Sequence, residues 1–95
     1  MDEVIARTYL FVPATRTDRV PKAFATGADA IIVDLEDAVA PMDKSAARDA
    51  AARDLPHANP VIVRINGADS AWFEDDLKLC AHIDVRGIVL PKTEY

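Results

Sequence analysis

Arg64 lies inside an apolar run, Val61-Ile62-Val63-Arg64-Ile65-Asn66, where an unpaired guanidinium is costly to bury. It therefore needs a fixed anion, and two kinds are available. One is a bound carboxylate gripped through two parallel N–H bonds; the other is the acidic stretch Asp34-Leu35-Glu36-Asp37. Asp34 and Glu36 are two residues apart, so on extended chain they point to the same side. Paired carboxylates of this kind suit Mg²⁺ coordination, hydrogen bonding to metal-bound water, or proton transfer. They equally suit a structural network with Lys44 or Arg48. A third group is Lys92, which burial could turn into a Schiff-base amine with Glu94 as its proton shuttle; its plainer role is that of an ion-pair partner. Arg16, Arg19 and Lys22 form a local basic cluster beside only one acid, Asp18. Nothing in the spacing of His57 and His82 resembles a ligand pair, which makes them surface residues, and Trp72 and Phe73 are expected to pack.

These groups need elements to bring them together. Four short apolar runs recur: Tyr9-Leu10-Phe11-Val12, Ala30-Ile31-Ile32-Val33, Val61-Ile62-Val63 and Gly87-Ile88-Val89-Leu90. They are nearly continuous rather than alternating, as strands buried on both faces of a parallel sheet are. The strands are expected near 8–12, 30–35, 60–65 and 87–91, with starts far enough apart for one helix per crossover. In the first interval Thr17 or Asp18 can cap a helix, Pro21 fits its first turn, and Val20, Ala23 and Phe24 share a face. Gly27 is placed to end that helix in a left-handed conformation. The second helix should run from near Met42 to Leu55, ahead of Pro56. The third should start from Asp69 or Ser70 and bury a Phe73, Leu77, Cys80 stripe.

Strict β/α alternation predicts either a doubly wound sheet or a (β/α)₈ barrel. The loop after the first strand, Pro13-Ala14-Thr15-Arg16-Thr17, has no glycine, whereas a dinucleotide-binding sheet needs G-x-G-x-x-G there. The pattern thus predicts an α/β chain, residues 1–95, forming the first four β/α units of a TIM (β/α)₈ barrel, with the rest of the barrel absent. Left alone, the outer strands would be open parallel edges. Such a half-barrel is therefore expected to be a fragment of a longer chain, the alternatives being a loosely folded chain or a non-catalytic half-barrel that assembles with another copy or a partner. In such folds the site sits at the carboxyl ends of the strands, and here those ends carry Arg16 and Lys22, Asp34 to Asp37, Arg64, and Lys92 to Glu94.

A net charge of −5 argues against nucleic acid as the main partner. No apolar run approaches the roughly 20 residues of a membrane-spanning helix, and no signal peptide is evident. The single cysteine, Cys80, fits a reducing, cytoplasmic setting.

Taken together, Leu10-Phe11-Val12-Pro13 with Arg16 and Lys22-Ala23, Ala28-Asp29-Ala30 through Asp34-Leu35-Glu36-Asp37-Ala38-Val39, Lys44 with Ala47-Arg48, Val63-Arg64-Ile65-Asn66-Gly67 and Gly87 to Lys92 resemble the HpcH/HpaI aldolase/citrate lyase β-subunit family, including malyl-CoA lyases. The resemblance runs over nearly the whole chain in consistent order. It implies a Mg²⁺-using TIM barrel, trimeric or hexameric, that cleaves or forms C–C bonds in CoA-thioester or related dicarboxylate-type substrates through an enolate. Carried over residue by residue, it implies that Arg64 holds the substrate carboxylate, that Phe11, Arg16 and Lys22 contact CoA or substrate, and that Asp34, Glu36 and Asp37 form the outer shell of the metal site. The metal's own ligands, a Glu and an Asp, are expected on later strands beyond residue 95, and Glu94 is not one of them. Ala14 stands where many members have glycine, which weakens the case for close phosphate approach at that loop.

Overall fold

The computed structural model describes residues 8–57, 60–83 and 85–91, with the His57 side chain also outside the description. The expectations placed on Lys92, Glu94 and the His57 side chain fall outside these residues. The chain forms β1 (Tyr9–Pro13), α1 (Val20–Ala25), β2 (Ala30–Asp34), α2 (Lys44–Asp54), β3 (Ile62–Arg64), α3 (Phe73–Ile83) and β4 (Gly87–Val89). Short 3₁₀ segments at Ala14–Arg19 and Pro41–Asp43 lead into α1 and α2. All four strands are parallel, in the order β1-β2-β3-β4. Each strand thus lies beside the next one in sequence, with a helix between them along the chain, which is the strand order of half a (β/α)₈ barrel. Strand positions follow the sequence expectation, although β3 and β4 are shorter.

The two faces of the sheet differ. Val12, Ile31, Val33 and Val63 point to the helical side, where they join Val20, Ala47, Ala51, Leu79 and Ile83 in one buried cluster. Burying each of these aliphatic strand side chains contributes about 1.5–3 kcal/mol. Ala47 and Ala51 are the apolar residues that α2 contributes to this cluster. On the opposite face, Tyr9 and Phe11 remain 52% and 55% exposed. That is the face a complete barrel would enclose. The edge strand β4 is also uncovered, with Ile88, Val89 and Leu90 all exposed.

Several local expectations need correction. Neither Thr17 nor Asp18 caps α1: the chain enters it through the 3₁₀ segment, Thr17 is buried and donates to Asp54 Oδ2 at 2.6 Å, and Asp18 pairs with Arg16. Pro21 does occupy the first turn of α1, and Gly27 closes it at φ 83°, a region where any side chain is strained. Ser70 does not start α3; its hydroxyl donates back to the Gly67 carbonyl and the helix begins at Phe73. The buried stripe of α3 is Asp76, Leu79, Cys80 and Ile83, while Leu77 faces solvent. Glu74 and Asp75 join Asp76 in its first turn, where negative charge complements the helix dipole. His82 is exposed, as expected. Among the described residues no helix is long and apolar enough to cross a membrane.

Candidate functional site

Parallel pairing aligns the strand ends. Pro13 is opposite Asp34, Asp34 opposite Arg64, and Arg64 opposite Val89. With side chains alternating between faces, this row points away from the helices, as does the row beneath it containing Phe11, Ile32 and Ile62. The guanidinium of Arg64 therefore lies directly across from the Asp34 carboxylate. Its Nε donates to Oδ1 at 2.9 Å and its Nη2 to Oδ2 at 2.6 Å, a two-pronged pair of the stronger class. Glu36 Oε1 lies 3.7 Å from Arg64 Nε, and the Phe11 ring lies 4.9 Å from the guanidinium carbon. Of the two anions open to Arg64 on sequence grounds, the structure records the strand-two acid. Arg64 is nonetheless 23% exposed while Asp34 is 1% exposed, so the guanidinium stays reachable from the mouth of the sheet.

Asp34 is saturated. Besides Arg64 it accepts the N–H groups of Glu36 at 2.8 Å and Ala38 at 2.9 Å. Burial pushes its carboxyl up, but the Arg64 hydrogen bonds and the two backbone donors outweigh that and hold it below its ordinary value. Glu36 goes the other way: burial and the hydrogen-bonded Asp37 carboxyl raise it, against the pull of Arg64. Two neighbouring carboxyls with separated affinities for a proton form a pattern associated with acid–base sites. Asp37 itself is exposed. Among the described residues no group of three or more His, Cys, Asp or Glu side chains could hold a metal ion, and both Asp34 oxygens are engaged. The residues described do not fit a metal's first shell.

A second feature adjoins the first. Leu10, Phe11, Arg16, Arg19, Lys22 and Thr26 line a groove of about 380 Å³ between β1 and α1. It gathers Phe11, Arg16 and Lys22 in one place and adds Arg19. Arg16 is also paired with Asp18, Nε and Nη2 each donating at 3.0 Å. Phe11 is common to both features: it is among the residues that line the groove, and its ring lies against the Arg64 guanidinium. Cations such as those of the groove can pair with phosphate oxygens, as a guanidinium can with a carboxylate.

Sequence reasoning assigned Lys44 or Arg48 as possible partners of the strand-two acids, and neither does this. Arg48 lies 3.7 Å from Asp75 and 3.5 Å from the buried Asp76. Lys44 is 5% exposed; its ammonium donates to the carbonyls of Leu35, Glu36 and Val39 at 3.0, 2.9 and 3.0 Å and lies 5.0 Å from the Trp72 ring centre. Asn66, in sequence only a member of the Val-Arg-Ile-Asn stretch, has a structural role of its own. It is buried, and its side-chain amide donates to the Leu35 carbonyl at 3.0 Å and to Asp76 Oδ2 at 2.6 Å. The signal for Lys44 was its place nine residues beyond Leu35 at the start of α2, but a carbonyl acceptor carries no letter in a sequence.

A sequence profile of the HpcH/HpaI aldolase/citrate lyase family matches residues 7–95. The chain is 42% identical to a citrate lyase subunit beta-like protein of Deinococcus radiodurans, over 95% of this chain and 34% of that one. It is 40% identical to a (3S)-malyl-CoA thioesterase of Cereibacter sphaeroides, over 90% of this chain and 32% of that one. Among solved structures, it superposes on CitE of Mycobacterium tuberculosis in complex with magnesium and acetoacetate with a TM-score of 0.78 and 40% identity, covering 94% of this chain and 37% of that one. The same protein with magnesium, acetoacetate and coenzyme A gives a TM-score of 0.74 at 38% identity, over 94% and 33%. The chain spans about a third of the length of the curated relatives it matches.

Proposed function

The chain belongs to the HpcH/HpaI aldolase/citrate lyase family, and on that premise we propose that it is the substrate-gripping first part of a lyase that makes or breaks a C–C bond in a CoA thioester or related dicarboxylate-type acid. The observation that carries this reading is Arg64: a guanidinium fixed by Asp34, reachable from solvent and stacked on Phe11. Arg64 has five N–H groups, of which the Asp34 bonds use two, and the remainder can receive a substrate carboxylate. Phe11, Arg16, Arg19 and Lys22 would bind the CoA end, since phosphate oxygens need cations. Glu36 and Asp37 would hydrogen-bond water at a metal's outer shell, whereas Asp34 acts by aiming Arg64.

Magnesium accompanies the relatives from Mycobacterium tuberculosis. For this protein its ligands are proposed to lie on strands beyond residue 95, which would also close the sheet at its open edges. The proposed setting is a cytoplasmic homo-oligomer, a trimer or hexamer.

Titration calorimetry with CoA and with oxaloacetate on the full chain tests the reading. CoA is expected to bind more weakly as salt rises, and the double variant Arg19→Glu, Lys22→Glu should lose at least about tenfold in affinity. Arg64→Lys should weaken oxaloacetate while sparing CoA. Unchanged CoA binding in the double variant defeats the assignment of the groove, and a borohydride-trapped substrate adduct lost in Lys92→Ala would move the chemistry to Lys92.

A further inference from the structure

The turn that leaves β2 is held from both sides by side chains. From within, the Asp34 carboxylate accepts the N–H groups of Glu36 and Ala38 at 2.8 and 2.9 Å. From the other side, the Lys44 ammonium meets the carbonyls of Leu35, Glu36 and Val39, all within 3.0 Å. An ammonium has three donors and no acceptor, so these carbonyls use its full capacity. Asn66 adds a second donor to the Leu35 carbonyl. Lys44 is 5% exposed, and a buried cation is costly unless its environment replaces water. Among the described residues no carboxylate pairs with it. Its surroundings are the carbonyl oxygens of this one turn and the face of Trp72, 5.0 Å away.

We propose that Lys44 is a positioning residue: by gathering three carbonyls of the 35–39 turn, it fixes the direction in which Glu36 and Asp37 present their carboxyls at the strand mouth. The assignment rests on the reading above, in which those two acids serve the site. Simple stabilisation does not account for a lysine here, because a methionine of similar length would fill the space beside Trp72 without burying a charge. What methionine lacks is the ability to point three backbone dipoles at one atom. Lys44 is also the first residue of α2, so the same contact ties the exit of β2 to the start of that helix. The neighbouring Trp72 brings in the segment that leads to α3.

The test compares the unmutated full chain with Lys44→Met and Lys44→Arg, the latter keeping the charge on a planar fork that cannot converge on three carbonyls. Two readouts are used: amide hydrogen exchange at Glu36 and Ala38, and the carboxyl titration of Glu36 followed by NMR. Both variants should speed exchange at those two amides at least tenfold and shift the Glu36 titration, while amides within α3 keep their protection. A folded Lys44→Met with unaltered exchange and an unaltered Glu36 titration overturns the proposal and leaves Lys44 a packing residue. Where either variant fails to fold, the unmutated chain decides. The Lys44 ammonium hydrogens should exchange slowly and show coupling across hydrogen bonds to the carbonyl carbons of Leu35, Glu36 and Val39, and exchange at the solvent-exposed rate refutes the proposal. Neither readout needs turnover or ligand. A chain that binds no CoA therefore defeats the functional reading without touching these measurements.

Discussion

Replacing Arg64 with alanine removes one partner of a pair whose other member is almost fully buried. Losing one side of a buried ion pair costs about 3–5 kcal/mol, because a charge is left without compensation. Asp34 would lose two of its four hydrogen bonds and keep the N–H groups of Glu36 and Ala38. The expected loss is therefore nearer about 2–3 kcal/mol, including the stacking on Phe11, worth about 0.5–1 kcal/mol. The pH dependence has a definite sign. In the unmutated chain Asp34 sits below its ordinary value, so its contribution is present at neutral pH and lost only as pH falls through that lowered value. Without the guanidinium, burial weighs more heavily and the value climbs. Asp34 in the variant then carries its charge at a penalty at pH 7 and sheds it by protonation as pH falls. Urea unfolding of both full chains at pH 7 and pH 4.5 measures this, with the larger stability difference expected at pH 7. A difference under about 1 kcal/mol at pH 7, or one equal at both pH values, refutes the argument that Arg64 compensates Asp34.

Two smaller outcomes follow from other contacts. Thr17→Val keeps the shape but removes the hydroxyl that donates to Asp54 at 2.6 Å, so urea unfolding should show a loss of about 1 kcal/mol; no loss would mean the bond adds nothing over solvent. Cys80 is buried, and burial together with the nearby Asp76 charge pushes its thiol up to about 11. Since the thiolate is the reactive form, iodoacetamide at pH 8 should leave Cys80 unmodified in the folded chain and label it readily in urea, as read by mass spectrometry. Rapid labelling without denaturant contradicts this.

The strands were legible because each is a run of β-branched and apolar residues, and a parallel sheet covered by helices needs little else. The gathering of Asp34, Glu36 and Arg64 at one rim was legible for the same reason: once the strands are located, the residues that end and follow them must share one rim. The stripe of α3 was misjudged because apolar spacing alone favours Leu77. The buried position is instead taken by Asp76, which accepts both the main-chain and side-chain N–H groups of Asn66. A carboxylate holds such a place through partners distant in sequence, Asn66 ten residues upstream and the Arg48 guanidinium 3.5 Å away. The cap assigned to Thr17 failed similarly, its hydroxyl being drawn to Asp54 across 37 residues. Lys44 was read as a charge seeking a charge, and a cluster of main-chain oxygens was not among the acceptors the sequence could display.

The Arg64–Asp34 pair also bears on how the sheet finds its alignment. Thirty residues separate the two partners, and they face each other only when β2 and β3 pair as observed. A slip of one residue would turn the guanidinium into the helix-packed layer beside Ile31 and Val33 and expel Val63 from it, because neighbouring strand positions point to opposite faces. A slip of two in one direction would leave Asp34 facing Ile62, a side chain that can offer it no donor, and in the other would replace the guanidinium with the uncharged Asn66 amide. Apolar strands rich in valine and isoleucine discriminate poorly between such alternatives by themselves. One charged pair at the rim therefore acts as a check on the registration of β3 against β2, and it brings Arg64 beside Glu36 before any ligand arrives.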